Sequence, residues 1–445
     1  MMRPRPAVLA VLVAAFLGSA PCLAEDLIDV YREAQRNDPT VAAARANWEA
    51  TQERVPQARA GLLPNVSLSA STNANYFGTS VDSDPHVTIN RNFGFGGLTV
   101  SAAQPLYRYA NTVLYSQAAL QVQQADFTLS SARQDLILRV ATAYFDVLLA
   151  QFNVELAESQ KAAVSEQLAQ AKRNFEVGVA TITDTNEAQA KYDSIVAQEI
   201  SAANDLENKR TALRAIIGRV PRDLKRLGPG FEPALPSPDA LDPWVDRALA
   251  DNLAVRIARY NADIATLEIE RQRAGHLPTV DLVASVNAQA FSASVNTSGA
   301  GDQRQAAIGL ALTVPLYEGG FIDSKVREAL ALQEAARQNL EVARRNALFS
   351  AQTGFTGVTG AAASVKAFEQ ALVSAQSAYE SNKTGQEVGV RTNLDVLNTL
   401  QNVFQTRRDL AQAYFNYLLG VLRLEAAVGS LDDHDLEDVN RRLQG

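Results

Sequence analysis

The feature that most constrains this chain is a run of seventy-two residues, Leu106–Val177, that contains neither glycine nor proline. Within it, apolar and small residues recur at intervals of three and four, the spacing of a helix face packed against neighbours. These residues are Val140, Ala143, Val147, Ala150, Val154 and Ala157. One helix of this length would extend about 108 Å at 1.5 Å per residue, far beyond an ordinary globular helix. The rest of the chain must therefore supply neighbours along its whole length.

The chain also repeats itself once. FEVGVATITD at 175–184 recurs as QEVGVRTNLD at 386–395, and ALRAIIG at 212–218 recurs as RLEAAVG at 423–429, both 211 residues later. Two further pairs recur at offsets of 214 and 210, which predicts two copies of one unit. We place the copies at residues 25–218 and 241–429. A proline- and glycine-rich linker at 219–240 joins them, and a tail follows at 430–445.

The first twenty-four residues have the pattern of an export signal. Arg3 and Arg5 precede an apolar stretch at 7–20, and Ala24 fits the small-residue rule for cleavage. The sole cysteine, Cys22, lies inside this segment, so the mature chain is predicted to have no disulfide and no thiol chemistry. Removing the two arginines changes the formal charge from −8 to −10, which disfavours nucleic acid as a partner.

Two segments before each long helix alternate apolar and polar residues with the period of a β-strand. In the first, Val66, Leu68 and Ala70 alternate with polar neighbours, and similar patterns occupy 98–102, 279–286 and 307–314. Prolines at 64, 105, 278 and 315 are predicted to bound the strands, and polar loops are predicted at 79–88 and 296–304. Before each strand pair we predict helices. The first is broken in two at Asn37–Pro39, and its counterpart is Asp242–Gly275.

These strand pairs allow two interpretations. A soluble hairpin packed on helices is one. The other is a transmembrane barrel, which the aromatic residues near the strand ends favour. They are Tyr76, Phe77, Phe93, Phe95, Tyr107, Phe291 and Tyr317. Four strands cannot close a barrel, whereas two chains would supply eight and three would supply twelve. The periodicity does not choose between these numbers.

Each long helix is predicted to end at a glycine suited to a left-handed turn, Gly178 or Gly389, and the second is predicted to run from Leu316 to Glu387. TITD at 181–184 and TNLD at 392–395 then resemble capping boxes that start the next helix. A further glycine run, Gly354, Gly357 and Gly360, allows either tight helix packing, which we favour, or a flexible waist.

The sequence offers little catalytic chemistry. The histidines His86, His276 and His434 are scattered, and no nucleophile elbow, phosphate loop or paired-carboxylate motif is present. The acidic stretch at 432–438 is compatible with a metal site, although a solvated acidic tail is the better interpretation. We therefore expect neither an enzyme nor a cofactor. The remaining alternatives are a membrane channel and a periplasmic helical scaffold.

GHLPTVDLVAS at 275–285, ATAYFDVL at 141–148 and VGVRT at 388–392 give the mature chain a close resemblance to the outer membrane efflux protein family. The resemblance implies a mainly α fold with a transmembrane β-barrel, built as a homotrimer. It implies a twelve-stranded barrel in the outer membrane and a long periplasmic α-helical tunnel. It also implies a passive exit channel for type I secretion or multidrug efflux, opened by a periplasmic adaptor and an inner-membrane ABC or proton-driven transporter.

The resemblance assigns roles to two groups of residues. The hairpin tips fall where adaptors dock: Val177, Gly178, Val179, Val388, Gly389 and Val390. Gate residues match at Thr183, Asp184, Arg391 and Asp395, whereas Gln386 replaces a tyrosine of the family pattern and Asn398 replaces a second aspartate. These two departures predict that the gate is held closed less strongly and that the periplasmic constriction attracts cations less strongly. Capping of the following helix is the simpler role for Asp184 and Asp395.

Overall fold

The computed structural model describes residues 24–82, 87–228, 231–292 and 300–443. Residues 1–23 of the predicted export signal, His86 and parts of both predicted strand loops lie outside these residues. The elements of the first half are α1 (Leu27–Asn37), α2 (Pro39–Gln52), α3 (Arg54–Ala60), β1 (Asn65–Val81), β2 (Val87–Tyr107), α4 (Tyr109–Glu176) and α5 (Ile182–Ile217). The second half contains α6 (Asp242–Asp251), α7 (Leu253–Arg273), β3 (Thr279–Phe291), β4 (Gly301–Thr313), α8 (Phe321–Glu387), α9 (Asn393–Val428) and α10 (Asp433–Leu443).

The long helices form as the sequence predicts. α4 has 68 residues and α8 has 67, so each extends about 100 Å. The helix face predicted to pack against neighbours is buried in α4 at Val140, Val147, Ala150 and Ala157. The buried face is wider than predicted and also includes Tyr144. α4 is also the one helix among the described residues with a window apolar enough to cross a membrane. Half of that window is buried inside the chain.

Several predicted boundaries are wrong for identifiable reasons. β2 continues through Pro105 to Tyr107, because the register with β3 shifts there and accommodates the missing N–H. α8 begins at Phe321 rather than Leu316, because Gly319 and Gly320 adopt positive φ angles of 62° and 77°. β1 ends at Val81, β2 begins at Val87 and β4 begins at Gly301, so residues 79–81, 87–88 and 301–304 belong to strands and not to the predicted loops.

The predicted first helix is interrupted twice. The break at Asp38 is as expected, with Pro39 in the first turn of α2 and the Asp38 carboxylate accepting from the Val41 amide at 2.9 Å. A second break, at Glu53, separates α3 and was not predicted.

The main hydrophobic core lies around the middle of α4. There α4, α8 and α9 pack against the short helices α1, α6 and α10 and against the linker. The single hydroxyl hydrogen of Tyr144 is shared between the carbonyl oxygens of Lys225 at 2.9 Å and Glu25 at 3.2 Å. Tyr417 donates to the carbonyl of Ala234 at 2.8 Å and accepts from its amide at 3.0 Å. The described part of the linker contains no helix, as predicted, and it is packed against the long helices.

The C-terminal stretch corrects another prediction. Residues 433–443 form α10, and Leu436, Val439 and Leu443 on it are buried in the main core, so this is not a solvated tail. Asn440 accepts from the Leu27 amide at 3.0 Å and donates to Asp26 at 3.1 Å. The acidic stretch therefore starts a helix that is hydrogen-bonded to the start of α1. Among the described residues no group of three metal-ligating side chains occurs.

The glycine run in α8 has mixed roles. A Cβ on Gly354 would lie 3.2 Å from Leu424, so Gly354 supports the predicted close packing of α8 on α9. A Cβ on Gly357 or Gly360 would meet nothing within 4 Å, so the packing prediction is wrong for these two within the chain. α8 is unbroken across all three.

A polar cluster joins α7 to α4 near the sheet. The Glu268 carboxylate accepts from Arg271 at 2.6 and 2.7 Å and from Gln117 at 3.0 Å. The hydrogen bonds from Arg271 are the main reason that the pKa of Glu268 falls to about 2.

We predict that this cluster makes the stability of the folded chain depend on pH over a narrow acidic range. Because the folded pKa is depressed, the stabilisation is complete above the unfolded value of about 4.3 and is lost as the pH falls toward about 2. Its size is on the order of 1–2 kcal/mol. In acid titrations followed by circular dichroism, Glu268→Gln should reduce stability at pH 7 and flatten its decline between pH 4.5 and 2. If the variant loses stability between pH 4.5 and 2 as steeply as wild type does, the prediction is wrong.

Candidate functional site

Both long helices end in the same turn, which forms two hairpin tips. Gly178 and Gly389 have φ angles of 78° and 81°, the left-handed conformation predicted for them. In the first tip the Val179 amide donates to the carbonyl of Asn174 at 2.9 Å, and in the second the Val390 amide donates to that of Gly385, also at 2.9 Å. The four valines that flank the glycines are 69–75% exposed. Each tip therefore presents exposed apolar side chains on a hydrogen-bonded turn.

Both predicted capping boxes are present. At the first, the Thr181 amide and hydroxyl donate to Asp184 Oδ2 at 2.9 and 2.8 Å, and the Asp184 amide donates back at 3.2 Å. Thr392 and Asp395 repeat the arrangement at 3.0, 2.9 and 3.2 Å. Hydrogen bonds from the Thr392 backbone and hydroxyl, with a contribution from Arg391, hold the pKa of Asp395 below its usual value. Asp395 is therefore a carboxylate at neutral pH.

Arg391 is placed by a glycine that sequence reasoning missed. A Cβ on the buried Gly385 would lie 2.7 Å from Arg391 Cγ, so only glycine leaves room for this side chain. The equivalent position in the first copy, 211 residues earlier, is Asn174. Within the described residues of this single chain, Arg391 forms no ion pair with Asp184. The recurrence of the tip motif with glycine in place of asparagine was the available signal.

The other predicted gate residues lie close to the tips but are not all brought together. Gln386 donates to Asn393 Oδ1 at 3.2 Å, which links the end of α8 to the start of α9. Thr183 is exposed in the first turn of α5, and Asn398 is exposed one turn beyond Asp395 on α9. Gln386 is thus a link within one hairpin rather than between hairpins.

A small apolar cluster holds the two hairpins together above the tips. It contains Val164, Leu168 and Ile195 from the first hairpin and Leu400 and Phe404 from the second. Lys191 adds a hydrogen bond from α5 to Gln401 on α9. Sequence reasoning did not identify these residues. The spacing of apolar residues along one hairpin does not show which residues of the other hairpin they contact.

The four strands form one antiparallel sheet in the order β1-β2-β3-β4. In the half of the sheet next to the helices, the register places apolar residues of all four strands on one face, since Leu68 pairs with Val100, Val100 with Val286, and Ala284 with Ile308. Leu68, Ile308 and Leu310 on this face are 69%, 77% and 69% exposed. A strongly apolar face without cover is characteristic of a surface that meets lipid or another protein.

The opposite face of the sheet is polar next to the helices, and nearer the strand loops it carries two of the predicted strand-end aromatic residues, Phe95 and Phe291. Ser67 and Ser101 share a hydrogen bond of 2.8 Å, and Thr99 donates to Asn287 at 3.1 Å. In the described chain β1 and β4 each have one unpaired edge. A sheet with one apolar face, one mainly polar face and two open edges is suited to pairing with further strands.

Comparisons with known proteins agree with this geometry. Residues 30–219 and 244–430 match the outer membrane efflux protein family. The chain is 35% identical over 436 residues to outer membrane protein TolC of Vibrio cholerae serotype O1, covering 97% of each. It is 31% identical to the proteases secretion protein PrtF of Dickeya chrysanthemi, covering 98% of this chain and 94% of the relative.

Among solved structures, the outer membrane protein VceC from Vibrio cholerae is similar, with a TM-score of 0.77 and 22% identity. The alignment covers 91% of this chain and 96% of that one, which supports the fold. The chain belongs to the outer membrane efflux protein family. Its place is therefore the outer membrane, with a large helical portion in the periplasm.

Proposed function

We propose that this chain forms the passive exit channel of a tripartite secretion or efflux system. The observation that carries the proposal is the sheet with one exposed apolar face and one polar face, continuous with two helical hairpins about 100 Å long. An apolar exterior suits the bilayer, and a polar interior suits an aqueous passage. The hairpins extend the same passage away from the membrane.

We infer that the working form is a homotrimer. One chain supplies four strands, and a membrane-spanning sheet cannot leave open edges in lipid. Three chains give twelve strands and an open lumen, whereas two would give eight and a lumen filled by side chains. The sequence duplication supports dividing each chain into two units, 25–218 and 241–429, around the linker.

The periplasmic end is proposed to carry the gate and the docking surface. The exposed valines at each tip provide an apolar surface for an adaptor, which in turn connects an inner-membrane transporter. Thr183, Asp184, Gln386, Arg391, Asp395 and Asn398 are proposed to control the opening where the tips of three chains converge. Export of proteases, as the name of PrtF indicates for that relative, is one candidate use.

Fractionation of the cell envelope separates this proposal from a periplasmic scaffold. The full chain should sediment with outer membranes and resist extraction by high salt. After solubilisation in mild detergent, native mass measurement should give three copies, and heating should convert them to single chains. A scaffold would instead be released as a soluble protein, and that result would overturn the proposal.

We predict that Asp395 determines how strongly multivalent cations block the channel. Its carboxylate is charged at neutral pH, and three copies at one constriction would concentrate a field that attracts cations. Asp395→Asn should weaken block by a trivalent cation by about tenfold or more, because it removes three charges. Asp193→Asn, at an exposed position in α5, is the matched control and should leave block unchanged. Equal block in all three proteins would remove Asp395 from the constriction.

A further inference from the structure

The two hairpin tips share one backbone conformation. In each tip the amide of the glycine, Gly178 or Gly389, donates to the carbonyl three residues earlier at 3.0 Å. The amide of the next valine donates to the carbonyl five residues earlier at 2.9 Å, and a Thr-Asp capping box follows. The chain therefore contains two copies of one turn, and each position can be compared with its counterpart 211 residues away.

Two positions that face each other across the turn carry amides in the second tip. Gln386 donates to Asn393 Oδ1 at 3.2 Å. Gln386 is half-buried, and Asn393 Nδ2 is shielded from solvent. The second tip is therefore polar at these positions, and its two side chains bond to each other.

The first tip has apolar side chains at the same two positions. Phe175 and Ile182 are the counterparts of Gln386 and Asn393, and they are 42% and 52% exposed. Because the second tip forms the same turn with amides, the turn itself does not require an aromatic or an aliphatic side chain here. Exposure of these large side chains to water is unfavourable, so a contact outside the single chain accounts for them better than the fold does.

The remaining differences between the tips act in the same direction. The two valines of each tip are exposed to nearly the same degree, 72% and 74% in the first and 69% and 75% in the second. Leu394 replaces Thr183 but is only 36% exposed, and Arg391 replaces Ala180. The first tip thus presents four exposed apolar side chains with no cation between residues 175 and 182, whereas the second has an arginine directly after its valines.

From this asymmetry we infer that the first tip is the main docking tip, where a protein partner packs an apolar side chain against Phe175 and Ile182. Aromatic residues are enriched at the buried centres of protein interfaces, which suits Phe175 to such a contact. The identity of the partner, a periplasmic adaptor, rests on the proposed function. The bilayer is not the partner, because the tips lie about 100 Å from the sheet along α4.

Cysteine labelling tests the inference, because the predicted mature chain contains no cysteine of its own. The reporters are Val179→Cys in the first tip and Val390→Cys in the second, matched at 74% and 75% exposure. Labelling rates with N-ethylmaleimide are compared between intact cells and the purified full-length oligomer in detergent. In cells, Val179→Cys should react about tenfold or more slowly than in the purified oligomer, and Val390→Cys less than about threefold more slowly.

The deciding comparison exchanges the two tips. Phe175→Gln with Ile182→Asn gives the first tip the amides of the second and should reduce the protection of Val179→Cys in cells to less than about twofold. Native mass measurement should still give three copies, so that loss of docking is distinguished from loss of assembly. The opposite exchange, Gln386→Phe with Asn393→Ile, is the matched control and should leave the protection of Val179→Cys unchanged.

An oligomer without a partner should leave the first tip open. Purified Val179→Cys should therefore react within about threefold of the same chain unfolded in guanidinium chloride. Slower labelling by about tenfold or more would assign Phe175 and Ile182 to a contact between copies of this chain, and that would overturn the inference.

Two further results would overturn it. Equal protection of both reporters in cells would make the tips equivalent as docking surfaces. Protection of Val179→Cys that survives Phe175→Gln with Ile182→Asn would assign docking to the valines alone. Each of these results leaves the channel proposal intact, because that proposal fails only if the wild-type oligomer is absent from the outer membrane or does not conduct ions.

Discussion

Replacing both Gly178 and Gly389 with valine is expected to abolish export while leaving the protein assembled in the outer membrane. Both glycines adopt φ angles near +80°, a conformation that costs a β-branched residue roughly 1–3 kcal/mol. A Cβ at either site would meet nothing within 4 Å, so the effect arises from the backbone and not from a clash. The turn would rearrange and displace the exposed valines that we propose as the docking surface.

The control for this experiment is Gly357→Ala in the middle of α8. There the backbone is helical and an added Cβ also meets nothing within 4 Å, so alanine should increase helix stability by about 0.5–1 kcal/mol. Export by the control should equal that of wild type. Normal export by the double valine variant, measured in cells that lack other exit channels, would remove the tips from the mechanism.

Replacing Arg391 with serine is expected to raise single-channel conductance and to leave the stability of the trimer nearly unchanged. Arg391 is exposed, and within one chain it has no ion pair with Asp184, so we propose that it pairs across a boundary between neighbouring chains. One exposed pair contributes about 0–1 kcal/mol. Three symmetric pairs can bias a two-state gate by a few kcal/mol, enough to change the open population about ten- to a hundredfold.

Gly385 gives an independent test of the same gate. In Gly385→Ala the new methyl group would lie 2.7 Å from Arg391 Cγ, so the arginine must leave its position without losing its charge. We expect this variant to raise conductance in the same direction as Arg391→Ser. Asn174→Ala, at the equivalent position of the first tip, should not. Wild-type conductance in both Arg391→Ser and Gly385→Ala would mean that other residues hold the gate.

The sequence predicted the elements whose determinants are local. The periods of 3.6 and 2 located the long helices and the four strands, and the glycines and Thr-Asp pairs at both tips predicted turns and capping boxes that the structure confirms. Boundaries were less accurate. α8 begins later than expected, because Gly319 and Gly320 precede it with positive φ angles. Pro105 lies within β2, because the pairing register between β2 and β3 shifts next to it.

Features that depend on contacts distant in sequence could not be predicted. The acidic stretch 432–438, with which α10 starts, is polar in sequence, yet Leu436, Val439 and Leu443 on this helix are buried because they pack into the main core. The role of Gly385 depends on Arg391 folding back across the turn.

The most direct test of the channel proposal is conductance of the purified full-length protein in a planar lipid bilayer. We predict discrete, long-lived single-channel steps whose conductance rises in Arg391→Ser and whose block by a trivalent cation weakens in Asp395→Asn. Insertion of a folded trimer that produces no conductance steps in wild type or in Arg391→Ser would contradict the channel.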